Sequence, residues 1–248
     1  MAINEEEKVL TYQLRNELID QMHKKEKGSI YHWSQTTFAY NSNKIEGSRL
    51  TEEQTEQIFD SDTIFVDKNE SAICVDDLIE ARNHFRLFDY MLLNLAEPLS
   101  KEMMIKMNTI LKHGTTYEYD PKYNVGGFKV RKNQVGFINP FHTTSPEDVE
   151  KEIELLLHDW YSKKEISIND IAEFHVRFER IHPFGDGNGR VGRIIMFKQC
   201  IESDVFPFIL MDTHRPYYIR GLREWDNQPN YLIDTLLTEQ DYYKGICE

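Results

Sequence analysis

The stretch that most limits what this chain can fold into is residues 182–193, His-Pro-Phe-Gly-Asp-Gly-Asn-Gly-Arg-Val-Gly-Arg. Four glycines, two arginines, a histidine and an acid share twelve residues. Glycine weakens both helix and strand, and the residue before a proline avoids the α region, so a helix is expected to stop at His182-Pro183. Upstream, Ile171, Phe174, His175, Phe178 and Ile181 recur at helical spacing, and Ser167 with Asp170 has the form of a capping box. Downstream, Val191, Ile194, Ile195 and Lys198 resume that spacing. The segment therefore reads as helix, glycine-rich loop, helix.

That arrangement suits an anion. The first N–H groups of a helix are unpaired, and its dipole favours negative charge there. Glycines let the backbone come close to a phosphate. Arg190 and Arg193, three apart on a helix, can face one ligand. Between residues 175 and 198, Arg177, Arg180, Arg190, Arg193 and Lys198 stand against Glu179 and Asp186, a net of +3. The whole chain of 248 residues carries 29 Lys and Arg against 42 Asp and Glu, for −13. Such a coat repels polyanions, so nucleic acid is not an expected partner, whereas a basic island can still take one small anion. Other loops fit less well. Gly187 to Gly192 spells GxGxxG with Asp212 twenty residues on, but a dinucleotide site needs a buried strand before the first glycine. A calcium loop starting at Asp186 would have Val191 in sixth place and Phe197 in twelfth. A P-loop needs Gly-Lys-Ser/Thr, which is missing.

The rest of the chain is helical in pattern. Helices are expected at about residues 6–24, 34–46, 75–95, 100–113, 145–164, 189–202 and 217–226. Ser145 is expected to cap the fifth of these, with Pro146 in the first turn and Asp148 closing a capping box. Met103, Met104 and Met107 are expected to fill core. One segment differs: residues 123–137, YNVGGFKVRKNQVGF, suggest a short β-hairpin with Lys132-Asn133 near its tip. The fold class is thus all-α, a helical bundle with one β-hairpin. No apolar run is long enough for a bilayer, the first twenty residues have no apolar core of a signal peptide, and three scattered cysteines fit reduced thiols. The expected location is cytoplasmic, with no membrane partner.

At each fixed position residues 182–193 match HxFx(D/E)GNGRxxR, and from about residue 100 to 240 the chain resembles the Fic-domain family. The loop Gly187-Asn188-Gly189 is more similar to the AMP-transferring members than to the related Doc kinases. The resemblance implies a Fic core at residues 99–248 behind an N-terminal helical region, 1–98. It implies transfer of AMP from ATP to a Ser, Thr or Tyr hydroxyl of a protein, the chain itself included, with release of pyrophosphate. His182 would be the general base, near its working pH with an unperturbed pKa of about 6.5. Asp186 would hold Mg²⁺. Gly187, Asn188 and Gly189 would line the phosphate pocket, and Arg190 and Arg193 would bind the outer phosphates. The flap, with Gly127, Phe128, Lys129 and Val130, would dock the target backbone by strand addition. Tyr217 or Tyr218 would sit beside the adenine or pack in the core.

A second motif lies upstream. Ser42 and Glu46, with Gly47 after them, fit the family's inhibitory pattern (S/T)xxxE(G/N) on a helix at about 34–47. By resemblance Glu46 would pair with Arg193 and deny it to the γ-phosphate, and it could also align a water that removes AMP from a modified protein. Two other functions stay open on sequence: a transferase of the same fold using another nucleotide or phospho-donor, and a non-enzymatic nucleotide-sensing module. The target protein and the oligomeric state, a homo-oligomer included, are left undefined.

Overall fold

The computed structural model describes residues 5–65, 72–135 and 141–247. In chain order these form α1 (Glu5–Lys24), α2 (Ile30–Ile45), α3 (Glu52–Ser61), α4 (Val75–Leu93), α5 (Lys101–Lys112), α6 (Val149–Ser162), α7 (Ile168–Ile181), α8 (Asn188–Glu202), α9 (Arg215–Arg223) and α10 (Asn230–Cys247). Local capping explains several starts. Ser29 accepts from His32 N at 3.2 Å to open α2, and Ser100 accepts from Met103 N at 3.2 Å to open α5. In α7, Asp170 accepts from Ser167 N at 2.9 Å, closing the expected box. Thr51 and Gln54 make the same box for α3, with bonds of 3.0 and 3.1 Å. Ser145 departs from expectation. It makes no side-chain cap, because residues 146–148 form a 3₁₀ turn and α6 begins only at Val149.

Helix α8 is the axle. Residues 188 to 201 are buried on every side, with α1, α2, α4, α5 and α7 packed around them. A helix that is buried all round has no solvent face, so its charged residues must find partners inside. One apolar cluster runs from Leu14 to Tyr243 and takes in Met103, Met104 and Met107 as core. A satellite of Ala39, Leu50, Ile58, Ala81 and Phe85 seals α2, α3 and α4.

The hairpin is placed differently from expectation. Residues 123–133 form turns and bends, with left-handed backbone at Asn124 and Gly126, and no paired strand. The antiparallel pair found among the described residues is β1 (Gln134–Val135) with β2 (Phe141–His142), in register Gln134 to His142. Lys132-Asn133 therefore precede the first strand instead of forming a tip. Residues 136 and 137 of the expected hairpin lie outside the described residues. Among the described residues no helix is long and apolar enough to cross a membrane.

Lys198 illustrates the burden of an enclosed helix. Its ammonium is fully buried, 2.8 Å from Asn94 O, 3.3 Å from Leu95 O, 2.9 Å from Glu97 O and 2.6 Å from Glu202 Oε1. It thus ties the turn that follows α4 to α8, beside a helix end whose dipole favours a cation. Its place at the far end of α8 removes it from the basic island. Lys198→Met should cost about 3–5 kcal/mol, the usual effect of stripping one partner from a buried charged cluster. Urea unfolding should show a lowered midpoint at unchanged slope.

Candidate active site

His182 ends α7 in a left-handed conformation, φ 52° and ψ 62°. That turn folds its ring back over the last turn of the helix, placing Nδ1 3.3 Å from Glu179 O and 3.8 Å from Glu179 Oε2. Burial, aided by the nearby Lys129 ammonium, pushes the imidazole down to about 4. The ring is therefore uncharged at neutral pH and can accept a proton. With Nδ1–H directed at Glu179, Nε2 is the accepting atom.

The glycine-rich loop is held from three sides. Asn188 folds its amide back on Phe184, accepting from its N–H at 2.8 Å and donating to its C=O at 3.0 Å. Its side chain thus shapes the loop and leaves the pocket lining to backbone. Asn133 donates to Phe184 O at 3.2 Å, and Asn108 donates to Asp186 O at 2.8 Å. Gly187 opens α8 at φ +85°, where a Cβ would also stand 3.0 Å from Leu111 Cδ2. At Gly189 a Cβ would collide with the Glu46 carboxylate and come within 2.9 Å of Arg193 Nη1.

The two arginines do not share one partner. Arg193, only 2% exposed, donates from Nε to Ser42 Oγ at 2.9 Å and from Nη2 to Ser42 O at 2.9 Å and Glu46 Oε1 at 2.7 Å. Glu46 is the residue at which α2 stops, and Gly47 follows at φ +99°. Partial burial opposes the charge of Glu46, but Arg193 and Arg190 outweigh it and hold the carboxyl below its usual range. Arg190 instead bonds Glu80, reaches Asp186 Oδ2 at 3.0 Å and lies 3.4 Å from Asn43 Oδ1. Lys112, fully buried at the end of α5, bonds both Glu80 and Asp186. Burial opposes the Asp186 charge too, and Arg190 and Lys112 overcome it.

The remaining expected residues scatter. Arg177 pairs with Asp159 at 2.9 Å and Arg180 with Asp226 at 2.9 Å, both outside the pocket. The island narrows to Arg190 and Arg193, joined by Lys112 from another helix. Tyr218 is core, its hydroxyl 2.7 Å from His175 Nε2. Tyr217 is 53% exposed and, with His214, Arg220 and Tyr231, lines a surface cavity of about 250 Å³ between α9 and α10. In the flap segment, Gly127 N donates to Asn124 O at 3.0 Å, and Phe128 packs on Phe184 at 6.0 Å between ring centres. Lys129 is buried. Its N–H donates to Pro183 O at 2.8 Å, and its Nζ reaches Asn133 Oδ1 at 2.7 Å, Thr143 Oγ1 at 2.8 Å and Ile181 O at 3.1 Å. With no carboxylate among those partners, burial lowers the ammonium to about 8. Val130 points to solvent.

The surroundings of Asp186 bear on a metal role. No cluster of three or more His, Cys, Asp or Glu able to hold a metal occurs among the described residues. Asp186 is 34% exposed and already faces two cations. A lone, reachable carboxylate beside an anion site fits Mg²⁺ in its usual manner, with substrate phosphates and waters supplying the other ligands.

The pair α7 and α8, joined by the glycine-rich loop and enclosed by the other helices, has the Fic fold. Residues 98–200, less than half of the chain, match the Fic/DOC family model, and that stretch is a Fic domain. Among solved structures, a Fic-domain signalling protein from Bacteroides thetaiotaomicron superposes with a TM-score of 0.72 at 21% identity, covering 97% of this chain and 92% of its own. A Fic family protein from Desulfovibrio desulfuricans gives 0.68 at 20% identity, with 99% and 75% covered. Among curated proteins, "Protein adenylyltransferase Fic" of Nematostella vectensis is 26% identical over 209 residues, 81% of this chain and 46% of its own length. The "Probable protein adenylyltransferase aq_aa38" of Aquifex aeolicus is 40% identical over 63 residues, 25% of this chain and 19% of its own. The chain thus spans less than half the length of these curated relatives.

Sequence reasoning passed over Glu80 and Lys112, whose helices carry no motif, and over Glu179 as more than a charge. It also passed over His84, which is buried beside the arginines with neither ring nitrogen reaching a partner. Burial, then Arg193 and Arg190, push its imidazole down to about 3. The unfolded chain takes a proton there below about 6.5 while the folded one does not, so this site removes stability as pH falls from 6.5 toward 3. His84→Leu breaks no hydrogen bond and should be near neutral in stability at pH 7. In melting curves taken at several pH values, it should make the acid-side fall shallower.

Proposed function

We propose that this Fic-domain protein is an autoinhibited adenylyltransferase that moves AMP from ATP to a Ser, Thr or Tyr hydroxyl of a protein, with its own chain among the acceptors. One observation carries the reading: Arg193, at the head of the anion site, is closed by Ser42 and by Glu46 at 2.7 Å, while an uncharged His182 stands at the loop's other end. The names of the curated relatives support the same chemistry.

His182 Nε2 takes the hydroxyl proton as that oxygen bonds the α-phosphorus, and the bond to pyrophosphate breaks. Backbone N–H groups from Gly187 to Gly189 at the start of α8 cradle the phosphates. Arg193 stabilises charge on the leaving group, and Arg190 fixes Asp186. Asp186 would hold Mg²⁺, which would supply neutralisation of phosphate charge when bound. Glu46 competes with the γ-phosphate for Arg193, so ATP bound beside it lies out of line for transfer. The flap segment at Gly127, Phe128, Lys129 and Val130 presents the target, with Lys129 anchoring it beside Pro183 and exposed Val130 meeting the incoming chain. A further step is removal of AMP from a modified protein by a water that Glu46 aligns.

Glu46→Gly should raise AMP incorporation into the protein, read as intact mass with ATP and Mg²⁺. No gain over the unmutated chain would refute inhibition by Glu46. A mass gain of UMP or phosphate from a donor panel would redirect the donor, and ATP binding without transfer in this variant would favour a sensing module. His182→Ala should lower transfer by about 10²–10⁴ while calorimetric ATP binding persists. Equal activity would remove His182 from its role.

A further inference from the structure

We propose that Glu179 is the positioning residue for His182, and that docked Glu46 keeps it from acting, a step that rests on the transferase reading above. Glu179 lies one turn before His182 on α7, and the left-handed backbone at His182 turns the ring back onto it. The same nitrogen, Nδ1, is 3.3 Å from the carbonyl of Glu179 and 3.8 Å from its Oε2. The other carboxyl oxygen, Oε1, is buried with no hydrogen-bond partner among the described residues. A buried acid left unpartnered is costly, and calls for an explanation in function. Gly192 keeps the space open, since a Cβ there would stand 3.0 Å from Glu179 Oε1.

The groups facing this carboxyl are Glu46 from α2, Arg193 from α8, His175 from its own helix, Tyr218 from α9, and His182, which in turn faces Lys129 and Asp186. His175 is pushed down to about 3 by burial and Tyr218 is pushed up by burial, so both are uncharged. The charged groups that remain are Arg193 and Glu46, acting on a carboxyl that burial already disfavours as an anion. Burial, then Glu46, raise Glu179 to about 8 despite Arg193, so it is a neutral acid at pH 7 in the closed form. When Glu46 leaves, burial still opposes the charge, but one of the two causes that raise Glu179 is gone and Arg193 draws the carboxyl back toward its charged form, the proton going to solvent. A carboxylate beside Nδ1–H holds the ring with Nε2 outward and stabilises the imidazolium formed when Nε2 takes the hydroxyl proton. Nδ1 keeps its own proton throughout.

The test is a cycle of Glu46→Gly and Glu179→Gln on nucleotide-free protein, with His182 titrated by NMR and assigned against His182→Ala. With Glu46 absent, Glu179→Gln should lower the His182 pKa by about one unit or more, the effect of losing a carboxylate at contact. With Glu46 present, the same change should move it little. No shift in the Glu46→Gly background overturns the positioning role, and equal shifts in both backgrounds overturn control by Glu46. Should Glu179→Gln not fold, infrared difference spectra serve instead. A protonated-carboxyl band lost in Glu46→Gly, and moved in frequency in the Glu179→Asp background, upholds the proposal, and a band unchanged by Glu46→Gly overturns it. Neither measurement uses ATP or a target, so the proposal can fail while AMP transfer stands, and the reverse. In the Glu46→Gly background Glu179→Gln should also lower kcat about tenfold or more at unchanged KM for ATP, below the roughly 10⁴ seen when a triad loses its orienting carboxylate. A change in KM alone would mark Glu179 as structural.

Discussion

The guanidinium of Arg193 is where the architecture and the chemistry meet. It is buried, and three of its bonds run to the last turn of α2, at Ser42 O, Ser42 Oγ and Glu46 Oε1. An unpaired arginine in such a place would cost several kcal/mol, so the end of α2 and the start of α8 form one unit. Their register follows: Gly47 stops α2 beside the loop, and Gly189 leaves space for the Glu46 carboxylate. A second set, Glu80, Lys112, Asp186 and Arg190, does the same for α4, α5 and the loop. Two acids and two bases balance there, which is why so much charge can stand in an interior.

Both sets are consequences of enclosing α8. Apolar residues all around it secure burial, and its polar residues then need partners from whichever helix passes. Arg190 and Arg193 sit one turn into α8, where the anion loop begins, and Lys198 sits near its other end, where α4 stops. The same requirement therefore yields the proposed phosphate site at one end of the helix and a structural strut at the other. A count of charge along the sequence merges the two.

The sequence made legible whatever is local. The loop, its flanking helices and the box at Ser167-Asp170 follow from signals within a dozen residues. The pairing of Glu46 with Arg193 came only through the resemblance, because 147 positions separate the partners and no periodicity links them. Glu80 reaches Arg190 across 110 positions and Lys112 across 32, on helices with no distinctive motif. The Thr51-Gln54 box that opens α3 is equally local, yet the short stretch after it carries too few apolar residues to mark a helix by period alone. The flap failed for a physical reason. Its Gly and β-branched residues fit a strand, but Asn124 and Gly126 take left-handed turns and Lys129 is drawn onto Ile181 and Pro183. Tertiary anchoring outweighed strand propensity.

Under the proposed inhibition, one of the partners that close Arg193 has to leave. Ser42 supplies two of the three bonds and is fully buried, whereas Glu46 supplies one and is 37% exposed at a helix end that Gly47 already terminates. Withdrawing Glu46 leaves the guanidinium still fixed to α2 by a carbonyl and a hydroxyl, both neutral. The geometry of the arginine survives while its charge becomes available, and charge is what an outer phosphate requires. Had Glu46 been the sole partner, its loss would expose a buried cation with nothing to hold it, and the fold would resist opening. On that proposal, dividing the contact between a permanent neutral anchor and a removable acid would separate stability from control at a single side chain.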